Sequence, residues 1–114
     1  MMRAGDVVRV DFGVPQGSEP GFVRPAIVIT ADNVLRYGPR TVHVIPITSN
    51  TTRDLPTELP LSDPTPDRAS VAQVHLCTVI STARIVEPSA DAENVGVVQL
   101  AALRALLGDL LDLG

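Results

Sequence analysis

The chain has 114 residues, 45% of them hydrophobic and 3% aromatic, and a formal net charge of −4 at pH 7. This length is usual for one domain, so we expect residues 1–114 to form a single domain, and the negative charge argues against a protein held on nucleic acid by bulk charge alone. No apolar run approaches the ~20 residues of a membrane span and the first residues lack a signal-peptide pattern, which favours a cytoplasmic protein with no membrane contact.

The first third of the chain predicts two strands joined by a loop. Residues 6–12 alternate polar and β-branched side chains, which is typical of a strand. Residues 13–21 contain three glycines and two prolines, a composition that predicts a mobile loop. Residues 25–30 form a continuous apolar run, as expected of a strand covered on both sides. Residues 31–40 are polar and predict a connection with room for one helical turn.

The middle of the chain predicts further short strands. They are residues 41–48, 58–61, 69–80 and 82–86, separated by polar loops at 49–55 and 62–68. Pro46 lies inside the first of these strands. Because proline cannot donate a hydrogen bond to a neighbouring strand, Pro46 indicates an edge strand or a bulge.

The last segment changes its hydrophobic period and predicts a C-terminal helix over residues 94–113. Its apolar stripe repeats at steps of three and four residues: Val98, Ala101, Ala102, Ala105, Leu106 and Leu110. This stripe is wide enough to pack on a sheet and still meet a partner. Five or more short strands with one terminal helix predict an α+β fold with a small, strongly bent sheet.

The chain has no pattern with the spacing of a metal-ligand motif. Cys77 is the only cysteine, so neither an internal disulfide nor a cysteine-based metal site can form. The two histidines, His43 and His75, lack the close spacing of metal-ligand motifs. We therefore expect no metal and no other cofactor.

Two motifs resemble the signature of the MazF/PemK toxin family. Gly17-Ser18-Glu19, followed by Arg24-Pro25 and an apolar strand, is similar to the first part of that signature. Residues 44–50, Val-Ile-Pro-Ile-Thr-Ser-Asn, are similar to the family's strand that ends in a threonine. Residues 3–12 resemble its opening strand, and the predicted helix falls in the corresponding place, so the likeness covers nearly the whole chain.

The resemblance implies both a fold and an activity. The fold would be an SH3-like small β-barrel of about five to seven strands with a C-terminal α-helix, as in MazF, PemK and CcdB, assembled as a homodimer. The activity would be sequence-specific, metal-independent cleavage of single-stranded RNA. Its products would carry 2′,3′-cyclic phosphate and 5′-hydroxyl ends, and a cognate antitoxin protein would inhibit the enzyme.

Carried over residue by residue, the resemblance implies that Arg24 and Thr48 form a catalytic pair. It also places Ser18 and Glu19 in the active-site loop, Ser18 as an RNA contact. A guanidinium stays charged and offers a planar fork of donors, which suits the negative charge that develops on a phosphate during cleavage. Because arginine is a poor general base, Glu19 is our candidate for removing the 2′-proton.

One segment departs from the family pattern. Where the family commonly has acid-Gln-apolar-Arg/Lys-Ser/Thr-apolar, residues 75–80 are His-Leu-Cys-Thr-Val-Ile. This departure predicts either a different recognised RNA sequence or a weaker hold on RNA. Gln73 and His75 are candidates to supply the missing contacts, and Arg53 and Arg84 are further candidates for contacting RNA phosphates.

Two other functions remain open from the sequence. A gyrase-poisoning toxin of the CcdB kind would share the barrel and act by binding a protein, and a catalytically silent SH3-like module would only bind. Neither function needs an arginine and a hydroxyl in one pocket. The nuclease interpretation therefore requires that the side chains of Arg24 and Thr48 share a cleft.

Overall fold

The computed structural model describes residues 2–49, 55–61, 70–87 and 93–113. They form seven strands, β1 to β7, and two helices, α1 and α2. The strands are Val7–Asp11, Val23–Val28, Thr41–Thr48, Glu58–Leu61, Ser70–Gln73, Thr78–Ser81 and Ile85–Glu87, and the helices are Asp32–Leu35 and Gly96–Leu110.

The strands pair antiparallel in the order β4-β5-β3-β2-β1-β7, and β6 pairs with β3. Among the described strands β4 and β7 end this path, so the sheet is barrel-like but open. Seven antiparallel strands with a C-terminal helix confirm the predicted fold class.

Strand β3 occupies the centre of the sheet and changes partner along its length. On one side it pairs with β2. On the other side residues 41–44 pair with β6, and residues 47–48 pair with β5. The edge position predicted for Pro46 is therefore wrong. Because the Ile29 amide bonds to the His43 carbonyl, alternation along the ladder turns the nitrogen of Pro46 away from β2, toward the gap between β6 and β5.

The single long strand predicted over residues 69–80 is also wrong. Val44 pairs with Thr78 and Ile47 with Ala72, so three steps along β3 correspond to six steps along the opposite segment. The three extra residues form the 3-10 turn Val74–Leu76. A second 3-10 turn, Thr82–Arg84, occupies the start of the segment predicted as the last strand, and β7 begins only at Ile85.

Helix α2 packs on the sheet through a different face from the predicted one. Leu103 is fully buried, and Leu100, Leu106 and Leu107 pack beside it against the core. Of the predicted stripe, only Leu106 belongs to this face, and Val98 is 83% exposed. The helix has apolar residues on all of its sides, so their spacing in the sequence does not determine which side docks on the 3-10 turn at 74–76.

The start of α2 is tied to the start of β1 by two buried or half-buried polar side chains. The side-chain nitrogen Nδ2 of Asn94 donates to the Ala4 carbonyl at 3.0 Å and to the Asp6 carboxylate at 2.9 Å. Gly5 has φ +91, and a Cβ there would lie 2.8 Å from the Asn94 side chain. The positive φ and this close contact together favour glycine at this position. No helix in the described ranges is long and apolar enough to cross a membrane.

These packing differences predict a contrast between two helix residues. Leu103→Ala removes a fully buried side chain and should lower the free energy of unfolding by about 2–5 kcal/mol. Val98→Ala changes an exposed side chain and should alter it by no more than about 0.5 kcal/mol. Urea unfolding followed by circular dichroism measures both variants, and equal effects would contradict the observed orientation of the helix.

Candidate functional site

A cleft of about 630 Å³ opens where β3 changes partner. Its described lining residues are Arg9, Arg24, Pro25, Ile47, Thr48, Ser49, Ser70 and Gln73. Two of them are arginines and none is acidic, so the cleft is locally positive in a chain whose net charge is negative. Such a concave positive site concentrates anions.

Arg24 and Thr48 line this cleft together. Arg24 is the second residue of β2 and Thr48 is the last residue of β3, and both are half-buried. The ladder between β2 and β3 begins at the pair of Ala26 with Pro46, and Arg24 and Thr48 each lie two residues beyond this pair. Arg24 and Thr48 therefore line one cavity, which is the condition that the nuclease interpretation set.

The guanidinium of Arg24 is held by two neutral oxygens on neighbouring strands. Its Nη2 donates to the Gln73 side-chain oxygen at 2.7 Å and to the Ile47 carbonyl at 3.2 Å. Both acceptors are neutral oxygens, and together these bonds restrict the position of the guanidinium. The arrangement suits a fixed positive charge facing an anion.

Gln73, a candidate RNA contact, lines the cleft, is only 6% exposed, and accepts the bond from Arg24 through its side-chain oxygen. It is the last residue of β5, and in the β4–β5 ladder it lies opposite Glu58, whose side chain is 7% exposed. No sequence pattern indicated Glu58, because the contact depends on the pairing of two short strands.

Arg9, Ser49 and Ser70 also line the cleft and were missed from the sequence. Arg9 stands opposite Pro25 in the β1–β2 ladder, beside Arg24. The signal for it was present, since Val8 and Val10 are the buried residues of β1 and alternation turns Arg9 away from them. The two serines lie at strand ends, where nothing in the sequence distinguishes them.

A second, smaller groove of about 340 Å³ lies apart from Arg24 and Thr48. It is lined by Ser18, Glu19, Pro20, His75, Leu76, Cys77 and Thr78. The structure thus brings the Gly-Ser-Glu loop against the segment that departs from the family pattern, and Glu19 does not line the cleft. Burial raises the pKa of the Cys77 thiol above its ordinary value, so this thiol stays protonated at neutral pH.

The remaining predicted contacts have different outcomes. Arg84 is exposed at the end of its 3-10 turn, and its Nη1 donates to the Asp11 carbonyl at 3.2 Å. Arg53 lies outside the described residues. Within the described ranges, no three His, Cys, Asp or Glu side chains stand close enough to hold a metal ion.

Comparisons with known proteins agree with this architecture. Over 119 aligned residues the chain is 33% identical to endoribonuclease MazF9 of Mycobacterium tuberculosis, with 99% of this chain and 98% of that protein covered. A 48-residue segment is 48% identical to endoribonuclease MazF of Staphylococcus saprophyticus and covers 42% of this chain and 39% of that protein.

Solved structures show the same fold. MazF from Deinococcus radiodurans superposes with a TM-score of 0.73 at 25% identity, covering 97% of this chain and 96% of that one. An endoribonuclease in complex with its cognate antitoxin, from a mycobacterial species, superposes with a TM-score of 0.74 at 16% identity. That alignment covers 100% of this chain and 98% of the other, and supports the fold.

The family resemblance seen in the two sequence motifs is confirmed over almost the whole chain. Residues 3–110 match the family model of PemK-like, MazF-like toxins of type II toxin–antitoxin systems. The chain belongs to this toxin family.

Proposed function

We propose that this protein is a cytoplasmic endoribonuclease toxin that cleaves single-stranded RNA at a specific sequence without a metal, acts as a homodimer and is inhibited by a cognate antitoxin. The observation that carries the proposal is the cleft shared by Arg24 and Thr48, in which neutral acceptors hold the Arg24 guanidinium. The relatives named as endoribonucleases, and the related fold seen with an antitoxin, support it.

The proposed reaction is an internal transfer at one phosphodiester. The 2′-oxygen of a ribose forms a bond to the adjacent phosphorus, its proton leaves to a base, and the bond to the 5′-oxygen breaks. The 5′-oxygen takes up a proton, which leaves a 2′,3′-cyclic phosphate and a 5′-hydroxyl. Negative charge builds on the phosphate oxygens in the transition state, where fixed positive donors stabilise it most.

Arg24 supplies this stabilisation in the proposal, and Arg9 adds a second guanidinium in the same cleft. The hydroxyl of Thr48 donates to a phosphate oxygen and helps to orient the scissile bond. These groups supply the positive charge and the donors by themselves, which is why we propose a reaction that proceeds without a metal.

Glu19 remains our candidate for accepting the 2′-proton. It belongs to the glycine-rich connection between β1 and β2 and lines the second groove in this structure. The role therefore requires the loop to carry its carboxylate toward the cleft when RNA binds. Catalytic contacts commonly tighten only in the complex.

We propose that the second groove takes RNA next to the scissile phosphate, with Ser18 and His75 as its polar contacts. Arg53 and Arg84 are proposed as phosphate contacts outside the cleft. Gln73 has a different role in the proposal, because its side chain is buried and bonds to Arg24. It positions the guanidinium rather than the RNA.

A silent binding module is the second candidate function, and the altered segment at residues 75–80 favours it. Here the cleft would bind an anion without cleavage. A gyrase poison would also leave RNA intact. The match to the PemK-like, MazF-like family and the Arg24–Thr48 cleft both favour the nuclease.

The proposed function makes three predictions, the first of them on the pair of Arg24 and Thr48. A long RNA incubated with the protein in EDTA should give fragments with cyclic phosphate ends, identified by end-group analysis. Arg24→Ala and Thr48→Ala each remove a donor to the transition state and should lower the cleavage rate roughly 10²- to 10³-fold. Arg36→Ala, an exposed residue outside the cleft, is the charge-matched control and should cleave normally. Intact RNA at high protein concentration would point to a binding module or a gyrase poison.

The second prediction concerns Gln73. Gln73→Met keeps the side-chain length but removes the acceptor for Arg24, so kcat should fall roughly 10- to 100-fold through misplacement of the guanidinium, with a smaller change in KM. Steady-state kinetics on a short RNA separate the two constants. Gln99→Met, on α2 and outside both the cleft and the second groove, is the control for the same substitution. A lower melting temperature with unchanged kcat would show a purely structural role.

The third prediction concerns salt. Because the chain is acidic and its positive groups are few and local, RNA binding should involve ~2–4 phosphate contacts at ~0.7 each in the slope of log K against log salt. Titration of a labelled single strand at several salt concentrations measures this slope. A much steeper dependence would contradict a binding surface built from a few arginines.

A further inference from the structure

Phe22 is an exposed aromatic residue held in an unfavourable backbone conformation. It directly precedes β2, its side chain is 67% exposed, and its φ is +61. Within the described ranges only Asp112 shares a positive φ without being glycine. A bulky side chain pays a conformational cost in this left-handed region, which burial in the core does not offset here. Strain of this kind collects at functional sites.

Two backbone hydrogen bonds fix this conformation. The Phe12 amide donates to the Phe22 carbonyl at 2.9 Å, and the Phe22 amide donates to the Gly13 carbonyl at 2.6 Å. Two residues of one strand thus oppose one of the other, as in a β-bulge, and Gly13 has φ +77. The regular register would pair Phe22 with Phe12, which packs against the core. The bulge and the left-handed turn instead present Phe22 to solvent.

Positive charge lies on both sides of Phe22. Arg24, in the cleft, lies two residues after Phe22, so the Cα atoms of the two residues are ~7 Å apart in extended chain. Arg84 donates to the Asp11 carbonyl, and its Nη1 lies 3.5 Å from where a Cβ on Gly13 would stand. The nearby Asp11 carboxylate accepts the Gly13 amide at 2.8 Å. Along the backbone, Phe22 therefore lies between Arg24 on its own strand and Arg84, which lies beside Gly13, the residue that accepts the Phe22 amide.

We propose that Phe22 is the platform on which one nucleobase of single-stranded RNA stacks, next to the nucleotide whose phosphate lies at Arg24. The inference rests on the proposed function and adds a base-binding residue to it. Single-stranded RNA is bound by aromatic side chains that stack on bases, combined with cations that contact phosphates. Two arginines near Phe22 along the backbone suit a polyanion better than an apolar protein surface.

The other aromatic residues are not placed for this role. The chain has two phenylalanines, one tyrosine and no tryptophan. Phe12 packs against the core, and Tyr37 follows α1 beside Arg36 and Gly38, which line a separate depression. Phe22 is therefore the aromatic residue nearest to Arg24 along an exposed strand end.

The test makes use of the unfavourable positive φ of Phe22. Phe22→Gly removes the ring and suits a positive φ, so it should weaken RNA binding roughly 5- to 150-fold, the usual range for one stacked base, without lowering the melting temperature. Phe22→Leu should weaken binding similarly, and Phe22→Trp should retain it. Tyr37→Leu removes an exposed aromatic elsewhere and should bind normally. The probe is a labelled single strand with methylated 2′-hydroxyls, which cannot be cleaved.

A series of probes that lack one base each identifies the stacked position. Wild-type protein should lose affinity for one abasic probe, and Phe22→Gly should lose nothing further with that probe. Wild-type affinity in Phe22→Gly, or a loss explained by a lower melting temperature, would overturn the stacking role. So would an effect confined to dimerisation, which would mark a protein contact. Absence of binding and cleavage by the wild-type protein would instead reject the proposed function.

Discussion

The site depends on one interaction, the hold of Gln73 and Ile47 on the Arg24 guanidinium. Arginine has a long and flexible side chain, and a fixed charge is useful only if its position is fixed as well. Here an amide oxygen at 2.7 Å and a backbone carbonyl at 3.2 Å restrict it from two neighbouring strands. Both acceptors are neutral oxygens, and the two bonds place the guanidinium at the wall of the cleft.

This hold exists because β3 changes partner. The 3-10 turn at 74–76 divides one chain segment into β5 and β6. Strand β5 ends with Gln73, and it pairs with the C-terminal end of β3. Pro46, which cannot donate to a neighbouring strand, lies at this change. If the register of β6 with β3 continued, residue 75 would stand opposite Ile47, whereas the three residues of the turn place Ala72 there, next to Gln73. The irregularity in the sheet therefore builds the cleft.

Local positive charge and local backbone strain explain how a small acidic chain can bind an anion. Two arginines line a cleft without acidic neighbours among its described lining residues, although the whole chain carries −4. Phe22 is kept exposed at a backbone cost beside them. Neither feature contributes to the core, and both are concentrated at the same end of β2.

The sequence by itself determined the type and approximate bounds of most elements, since hydrophobic alternation and glycine and proline positions act over a few residues. It also indicated Arg24 and Thr48 through a motif and its spacing. Tertiary structure alone decided which face of α2 docks, where residues 69–80 break, that Gln73 holds Arg24, and that Glu19 lies in a separate groove. Arg24 and Gln73 are 49 residues apart, and such contacts follow from strand register and packing, which no local pattern encodes.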